Sequence, residues 1–537
     1  MIVIDILRQL ENELLDIKFK EYTLLLRNAD TAMIHILKMY GDLLRDLRCD
    51  TEINVSLDQR KYFLWHLTDG LTCCVKWIAS DCKRVSEEEY SYKQVDEEAL
   101  ELLFWGYNYS ELCIEHTAYS KKMSNVWIDE EKKIVEFKPK EINPNLIISQ
   151  SAFDRLYLSK LQDSHPHQEL NKEFNLWFKK TSFSYENIEI PWDLVRNLKC
   201  FTLFNNWIKD NIFWDLESTC SLGKYTLYEY IKIYSILYIN FSYYTKVEDY
   251  IDIRDGLENE LGSCSLCINN IEFINWMSEL SDIDNKKVSE IVSDLTLDSY
   301  NFHSKIVFQP LILIDNHIYI SPRLFVNIDS RRMLFGALNT QKKEVYDKLI
   351  NNIEQYNVKK IGGLLKSINC DVYVDTKVKK SKKYVRPDFL LVDQVHKIVL
   401  VGDYKHYLRP IGVRDVSNRT IELKKGISQV NNYCNYLEKS SVQIEEKVFD
   451  LSEYTIFKFL VFQYPMPLPL DKVDIIMYDY DNFTEIIDSL NKPQLGDFIQ
   501  LMFKNIRNLD FDSNEYKMIP LETKVNDWTY IRHIYAK

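Results

Sequence analysis

The chain has 537 residues, of which 46% are hydrophobic and 27% charged. That balance excludes a mainly disordered protein, and the length corresponds to about two to four domains. Thirteen glycines and thirteen prolines are less than half the usual share, which excludes collagen-like or linker-rich architecture and predicts long regular elements.

Eleven cysteines are too dilute for a disulfide scaffold. No run approaches the ~18 consecutive apolar residues of a membrane-spanning helix. Asp5, Arg8 and Glu11 stand where a signal peptide needs an apolar stretch. The expectation is a soluble, cytoplasmic protein with reduced cysteines and no membrane contact.

Residues 1 to about 125 read as helices, with apolar spacing at Ile6, Leu10, Leu14 and Leu15 and again at Leu100, Leu102, Leu103 and Trp105. Val126 to Lys138 reads as a small hairpin around a charged turn. Helix returns from about 145 to 300, with a start at Pro191-Trp192-Asp193. Within it, Tyr225 to Tyr244 reads as a buried core helix. Leu311 to Ser321 is a hairpin turning at Asp315-Asn316.

A helix over 341–368 then precedes strands at 371–375, 386–393 and 397–405, a helix near 427–437, and strands near 457–462 and 473–478. The expected class is α+β: a helical region over 1–165, a second over 166–340 ending in the hairpin, and an α/β domain with a central mixed sheet over 341–537.

The net charge of −13 is unevenly distributed. Residues 341–440 carry 20 Lys and Arg against 11 Asp and Glu, a local +9, which leaves −22 for the remainder. A basic island in an acidic chain can hold polyanions by Coulomb attraction and counterion release. Its densest part is Lys377, Lys379, Lys380, Lys382 and Lys383. The plain reading of such a cluster is a solvated hairpin rim; what lies beside it argues for nucleic acid.

Two apolar strands each carry a carboxylate near one end, Asp388 and Asp403. If they form a hairpin turning at Val395 and His396, the two carboxylates face each other. Lys405, two residues on, then shares the face of Asp403. Like charges opposed across a sheet are destabilising, and a divalent cation such as Mg²⁺ or Mn²⁺, which prefers carboxylate and water oxygens, compensates them. With a lysine able to orient a water or a phosphate oxygen, this is chemistry for cleaving a phosphodiester. The plain alternative places both aspartates at frayed strand ends in water.

Pro387-Asp388 with Asp403-Tyr404-Lys405 resembles the PD-(D/E)xK nuclease superfamily, the restriction-endonuclease-like fold. Gln429 and Tyr433, one helical turn apart, resemble the Gln-x-x-x-Tyr element of many members. The resemblance spans about 341–480. It implies that Asp388, Asp403 and the main-chain carbonyl of Tyr404 hold the metal and that Lys405 orients the attacking water. Gln429 and Tyr433 would help bind nucleic acid near the site. It also implies an acidic residue on the first helix. Glu354 shares a stripe with Val358, Ile361, Leu365 and Ile368 and is preferred; Glu344 is nearer the helix start, with Lys348 and Asn351 on its stripe.

The expected function is Mg²⁺-dependent cleavage of nucleic acid, DNA in preference to RNA, with Lys379, Lys380, Lys382 and Lys383 on the phosphates. Restriction or anti-phage defence follows by family analogy alone. The rivals are a nuclease fold that binds without chemistry and a scaffold in which Asp-x-Lys is coincidental. The acidic N-terminal region offers room for a protein partner, and a homo-oligomer stays open. Cys264 and Cys267 lack the second pair a structural zinc needs, with Cys73, Cys74 and Cys82 far away in sequence. His165 and His167 read as a surface loop. Gly362, Gly363, Lys366 and Ser367 lack Walker spacing and read as helix.

Overall fold

Apolar residues at three- and four-residue spacing drive the first part of the chain into long helices, α1 (Ala29–Cys49), α2 (Leu57–Asp81) and α3 (Tyr92–Ser120). They share a core built from Ile36, Tyr40, Leu71, Ile78, Leu102 and Leu103. This computed structural model describes residues 2–49, 57–82, 91–140, 165–178, 200–255, 265–301, 303–407, 413–438, 440–464, 475–490, 492–504 and 517–536. The helix start expected at Pro191-Trp192-Asp193 lies outside them.

The expected hairpin forms as β1 (Ser124–Asp129) and β2 (Ile134–Pro139), with Lys133 taking the left-handed turn conformation at φ 54°. Helix α4 (Leu227–Asp255) crosses the core with Tyr230, Tyr234 and Phe241 buried, as its interrupted apolar run predicts. The helical reading of 145–300 misses β3 (Leu266–Asn269) and the two-residue β4 (Thr296–Leu297). Both are completed by partners distant in sequence, β5 (Leu311–Ile314) and β6 (His317–Ile320), in the order β3-β6-β5-β4. Asp315 makes the β5–β6 turn at φ 50°.

Helix α5 (Lys343–Leu365) begins where a new domain is expected, yet it serves two cores. Tyr346, Leu349 and Ile353 pack into the N-terminal core, and Val358, Ile361 and Leu365 into the next one. The chain then forms β7 (Asp371–Val374), β8 (Val378–Lys380), β9 (Lys383–Val385), β10 (Phe389–Asp393) and β11 (Ile398–Lys405). After these come α6 (Val413–Leu437), β12 (Ser441–Ile444), β13 (Lys447–Asp450), β14 (Thr455–Phe462) and β15 (Ile476–Asp479), then α7 (Tyr480–Asp488) and α8 (Leu495–Lys504).

The central sheet runs β15-β14-β11-β10-β7. It is mixed, with β11, β14 and β15 parallel and β10 antiparallel to both its neighbours. Period-2 alternation gives it two buried faces. Phe389, Leu391, Leu400 and Phe459 pack with residues of α5, α7 and α8. Leu390, Val392, Val399 and Val401 pack with Cys434 and Leu437 of α6 and with a second sheet, β13-β12-β8-β9.

The last hairpin, β16 (Lys517–Val525) and β17 (Trp528–Ala536), departs from the expected 341–537 unit. It extends the β1–β2 sheet, with β17 parallel to β2. Val525 and Tyr530 join the N-terminal core, and Arg532 is buried against Glu111 of α3. Such a pairing, across about 400 residues, leaves no local pattern in the sequence. Among the described residues no helix is long and apolar enough to cross a membrane.

One glycine sets the spacing of the central strands. A Cβ on Gly402 would lie 2.1 Å from Cε1 of Phe459. That ring is itself held between Phe389 and Phe483, with centroids 5.7 and 5.6 Å away. Gly402→Ala is therefore expected to destabilise the fold by ~1–3 kcal/mol, the usual cost of overpacking a core. Urea denaturation measures it; a midpoint equal to wild type would show that the stack yields freely.

Candidate active site

The β10–β11 register pairs Phe389 with Gly402 and Asp393 with Ile398 across the turn at 394–397. This is the register a turn centred on Val395 and His396 requires, and it brings Asp388 opposite Asp403. Pro387 has no N–H to give to a ladder, and β10 starts only at Phe389, so Asp388 stands just outside the strand. Its carboxylate takes over the missing pairing: Oδ2 accepts the main-chain N–H of Tyr404 at 2.8 Å. In a strand a residue's N–H and C=O project to the same edge, so the Tyr404 carbonyl is directed to the Asp388 side as well.

Asp403 is 3% exposed, and its Oδ2 lies 2.7 Å from Nζ of Lys405. The ammonium of Lys405 is thus the charge that faces this oxygen. Burial, reinforced by the neighbouring Asp403 carboxylate, pushes the Asp388 carboxyl far above its ordinary range. Burial alone would lower Lys405; Asp403, then Asp388 and Glu354, outweigh it and hold the ammonium more firmly charged.

Of the two helix acids, Glu354 reaches the site. Its Oε1 accepts the main-chain N–H of His406 at 3.2 Å, and burial raises its carboxyl, with Asp403 adding to the effect. Glu344 is exposed at the start of α5. Helix α6 supplies Tyr433, whose phenol is raised first by burial and then by the charges of Asp403 and Asp388. Gln429, one turn earlier, is exposed.

Three supporting groups escape a reading of the sequence. A Cβ on Gly426 would sit 3.3 Å from Cγ of Lys405, so this glycine lets α6 lie against the lysine stem. A glycine inside a helical pattern three residues before Gln429 is the available signal. Asn357 and Gln463 close a buried network on the Tyr404 hydroxyl: that hydroxyl donates to Gln463 Oε1 and accepts from Asn357 Nδ2, the latter at 2.9 Å. Nothing in the sequence links these three positions, which lie on α5, on β11 and just past β14.

The lysines occupy the β8–β9 hairpin, turning at Ser381 with φ 54°. All four are exposed. Lys380 donates to Ser440 Oγ, whereas Lys379, Lys382 and Lys383 face solvent. The hairpin rises from the face that carries the two aspartates: Val378 and Val385 share a cluster with Leu390, Val401 and Tyr433.

Two carboxylates, the Tyr404 carbonyl and water could hold a hard, oxygen-preferring cation such as Mg²⁺ or Mn²⁺. Among the described residues no group of three or more His, Cys, Asp and Glu side chains is gathered to hold a metal ion. A cation here would therefore draw the rest of its ligands from the main chain, solvent and substrate. Cys267 is exposed on β3, while Cys264 lies outside the described residues; His165 and His167 open a helix, His165–Phe178, rather than the loop expected for them. Gly362 and Gly363 lie inside α5. No protein-family model, curated protein or solved structure matches this chain.

Proposed function

We propose that the chain hydrolyses phosphodiester bonds in nucleic acid, DNA in preference to RNA. On this reading it is a PD-(D/E)xK-type nuclease whose 343–504 part is a restriction-endonuclease-like core. The observation that carries this is the register opposing Asp388 and Asp403, with Lys405 paired to Asp403 on one face. A structural sheet gains nothing from two carboxylates and a lysine at this point, whereas hydrolysis of a phosphodiester uses all three.

Asp388, Asp403 and the Tyr404 carbonyl would hold Mg²⁺ or Mn²⁺, which supplies Lewis-acid stabilisation of the phosphate when bound. Lys405 donates to the attacking water or to a phosphate oxygen as negative charge builds there. Glu354 fixes the end of β11 through the His406 N–H and adds negative charge that keeps Lys405 protonated. Tyr433 of α6 packs against the cluster on the face of the two aspartates and would bind nucleic acid beside them.

Incubation with plasmid, linear duplex and RNA in Mg²⁺, Mn²⁺ or EDTA tests the proposal. Cleavage of DNA in either metal and none in EDTA is expected. Cleavage that persists in EDTA, or none in any metal, would contradict it.

A further inference from the structure

Tyr384 stands on β9 in register with Lys379 on β8 and is 58% exposed. Nζ of Lys377 lies 5.0 Å from its ring centroid. Residues 377–383 hold five lysines and no acid, and among the described residues no carboxylate pairs with Lys377, Lys379, Lys382 or Lys383. An aromatic ring displayed on a lysine rim is a combination that single-strand binders use: cations track the backbone, and the ring stacks a base.

The hairpin is also built to hold its shape. Val378 is buried and Val385 half-buried in the α6-side cluster. Tyr436 of α6 donates its hydroxyl to the Lys383 main-chain carbonyl at 2.7 Å. Arg386 at the hairpin's base clamps Asp375, with Nη2 2.6 Å from Oδ2 and Nε 3.1 Å from the main-chain oxygen. Tyr384 alternates with the core-facing Val385, so its ring is directed outward by the pleat.

We infer that Tyr384 is a base-stacking platform and that the nucleic acid entering past this hairpin is unpaired: a single strand, a flap or a frayed end. In a duplex both faces of each base are already stacked, so an exposed tyrosine finds a free base face only where pairing has been lost. The lysines act differently. They meet phosphates, which single strands and duplexes both offer.

This inference rests on the nuclease reading for its substrate but is tested by binding alone. Fluorescence anisotropy would use the full chain, in EDTA, with a labelled 20-nucleotide DNA strand and the same strand as duplex. The wild type is expected to bind the single strand more tightly. Tyr384→Ala should weaken single-strand binding about tenfold or more, the usual value of one stacked base, and shift duplex binding less than twofold. Tyr384→Trp should retain single-strand binding.

The triple variant Lys379→Gln, Lys382→Gln, Lys383→Gln should weaken both forms. It should also lower the salt slope for the single strand by about 0.7 for every phosphate that is no longer neutralised. Equal losses on single strand and duplex for Tyr384→Ala, or no loss on either, would overturn the stacking role. Failure of wild type to bind any oligonucleotide would overturn the nucleic-acid assignment of the hairpin and leave an acidic protein as its partner. Cleavage by the wild type with unchanged binding by Tyr384→Ala would remove only this inference. Single-strand binding abolished in Tyr384→Ala, by a chain that never cleaves, would remove only the nuclease reading.

Discussion

Replacing Lys405 with alanine is expected to slow single-turnover cleavage by ~10²–10³-fold, the usual value of one preorganised contact to developing charge. Affinity for substrate and cation should change little. The ammonium sits 2.7 Å from Asp403 Oδ2 on the face that carries both carboxylates, and its stem is pressed against Gly426 of α6. It is thus held in place before substrate arrives. Its charge matters most when the phosphate becomes more negative, and an interaction made mainly in the transition state lowers the rate constant more than binding.

Lys405→Arg should rescue poorly. The guanidinium is planar and larger than the ammonium it replaces, and the stem has little room beside Gly426. Parallel binding titrations in Ca²⁺ separate the two effects. Equal losses of affinity and rate would reduce Lys405 to a phosphate anchor.

Asp403→Asn should bring cleavage to background in both Mg²⁺ and Mn²⁺ while leaving the chain folded. The substitution keeps size and removes the charge that opposes Asp388. With its pKa pushed far up, Asp388 is neutral in the free protein, so the variant loses only the Asp403–Lys405 ion pair, and its circular dichroism and cooperative melting should persist. Binding of a ligand to the native state alone raises the melting temperature by mass action. Wild type should therefore melt higher in millimolar Mn²⁺ than in EDTA, and Asp403→Asn should not. Wild-type nicking by the variant at saturating Mg²⁺ would exclude Asp403 as a metal ligand.

What could be read from the sequence was local. The turn at Val395 and His396 fixes which residues of β10 and β11 oppose each other, because a two-strand register follows from its turn. The apolar stripe through Val358, Ile361 and Leu365 is what distinguishes Glu354, turned to β11, from the exposed Glu344. Period-2 alternation likewise places Lys405 beside Asp403.

What escaped depends on contacts remote in sequence. The pairing of β17 with β2 and the burial of Arg532 against Glu111 have no local signature. The short β12–β13 hairpin offers only Val442, Ile444 and Phe449 to the core and gains its place by pairing with β8 and packing against Leu390 and Val401, both remote in sequence. Helix α6 begins at Val413 rather than near 427, because polar residues such as Asn418 and Thr420 mask its start. Asn357 and Gln463 are ordinary polar residues until the fold closes them on Tyr404.

The most direct test of the acid pair as a cation site is isothermal titration of Mn²⁺ into the full chain at neutral pH, run on wild type, Asp388→Asn and Asp403→Asn. Saturable heat in the wild type that is lost in both variants is the expected result. A silent wild type, or variants that bind Mn²⁺ as the wild type does, would contradict the assignment of Asp388 and Asp403 as the residues that hold the metal.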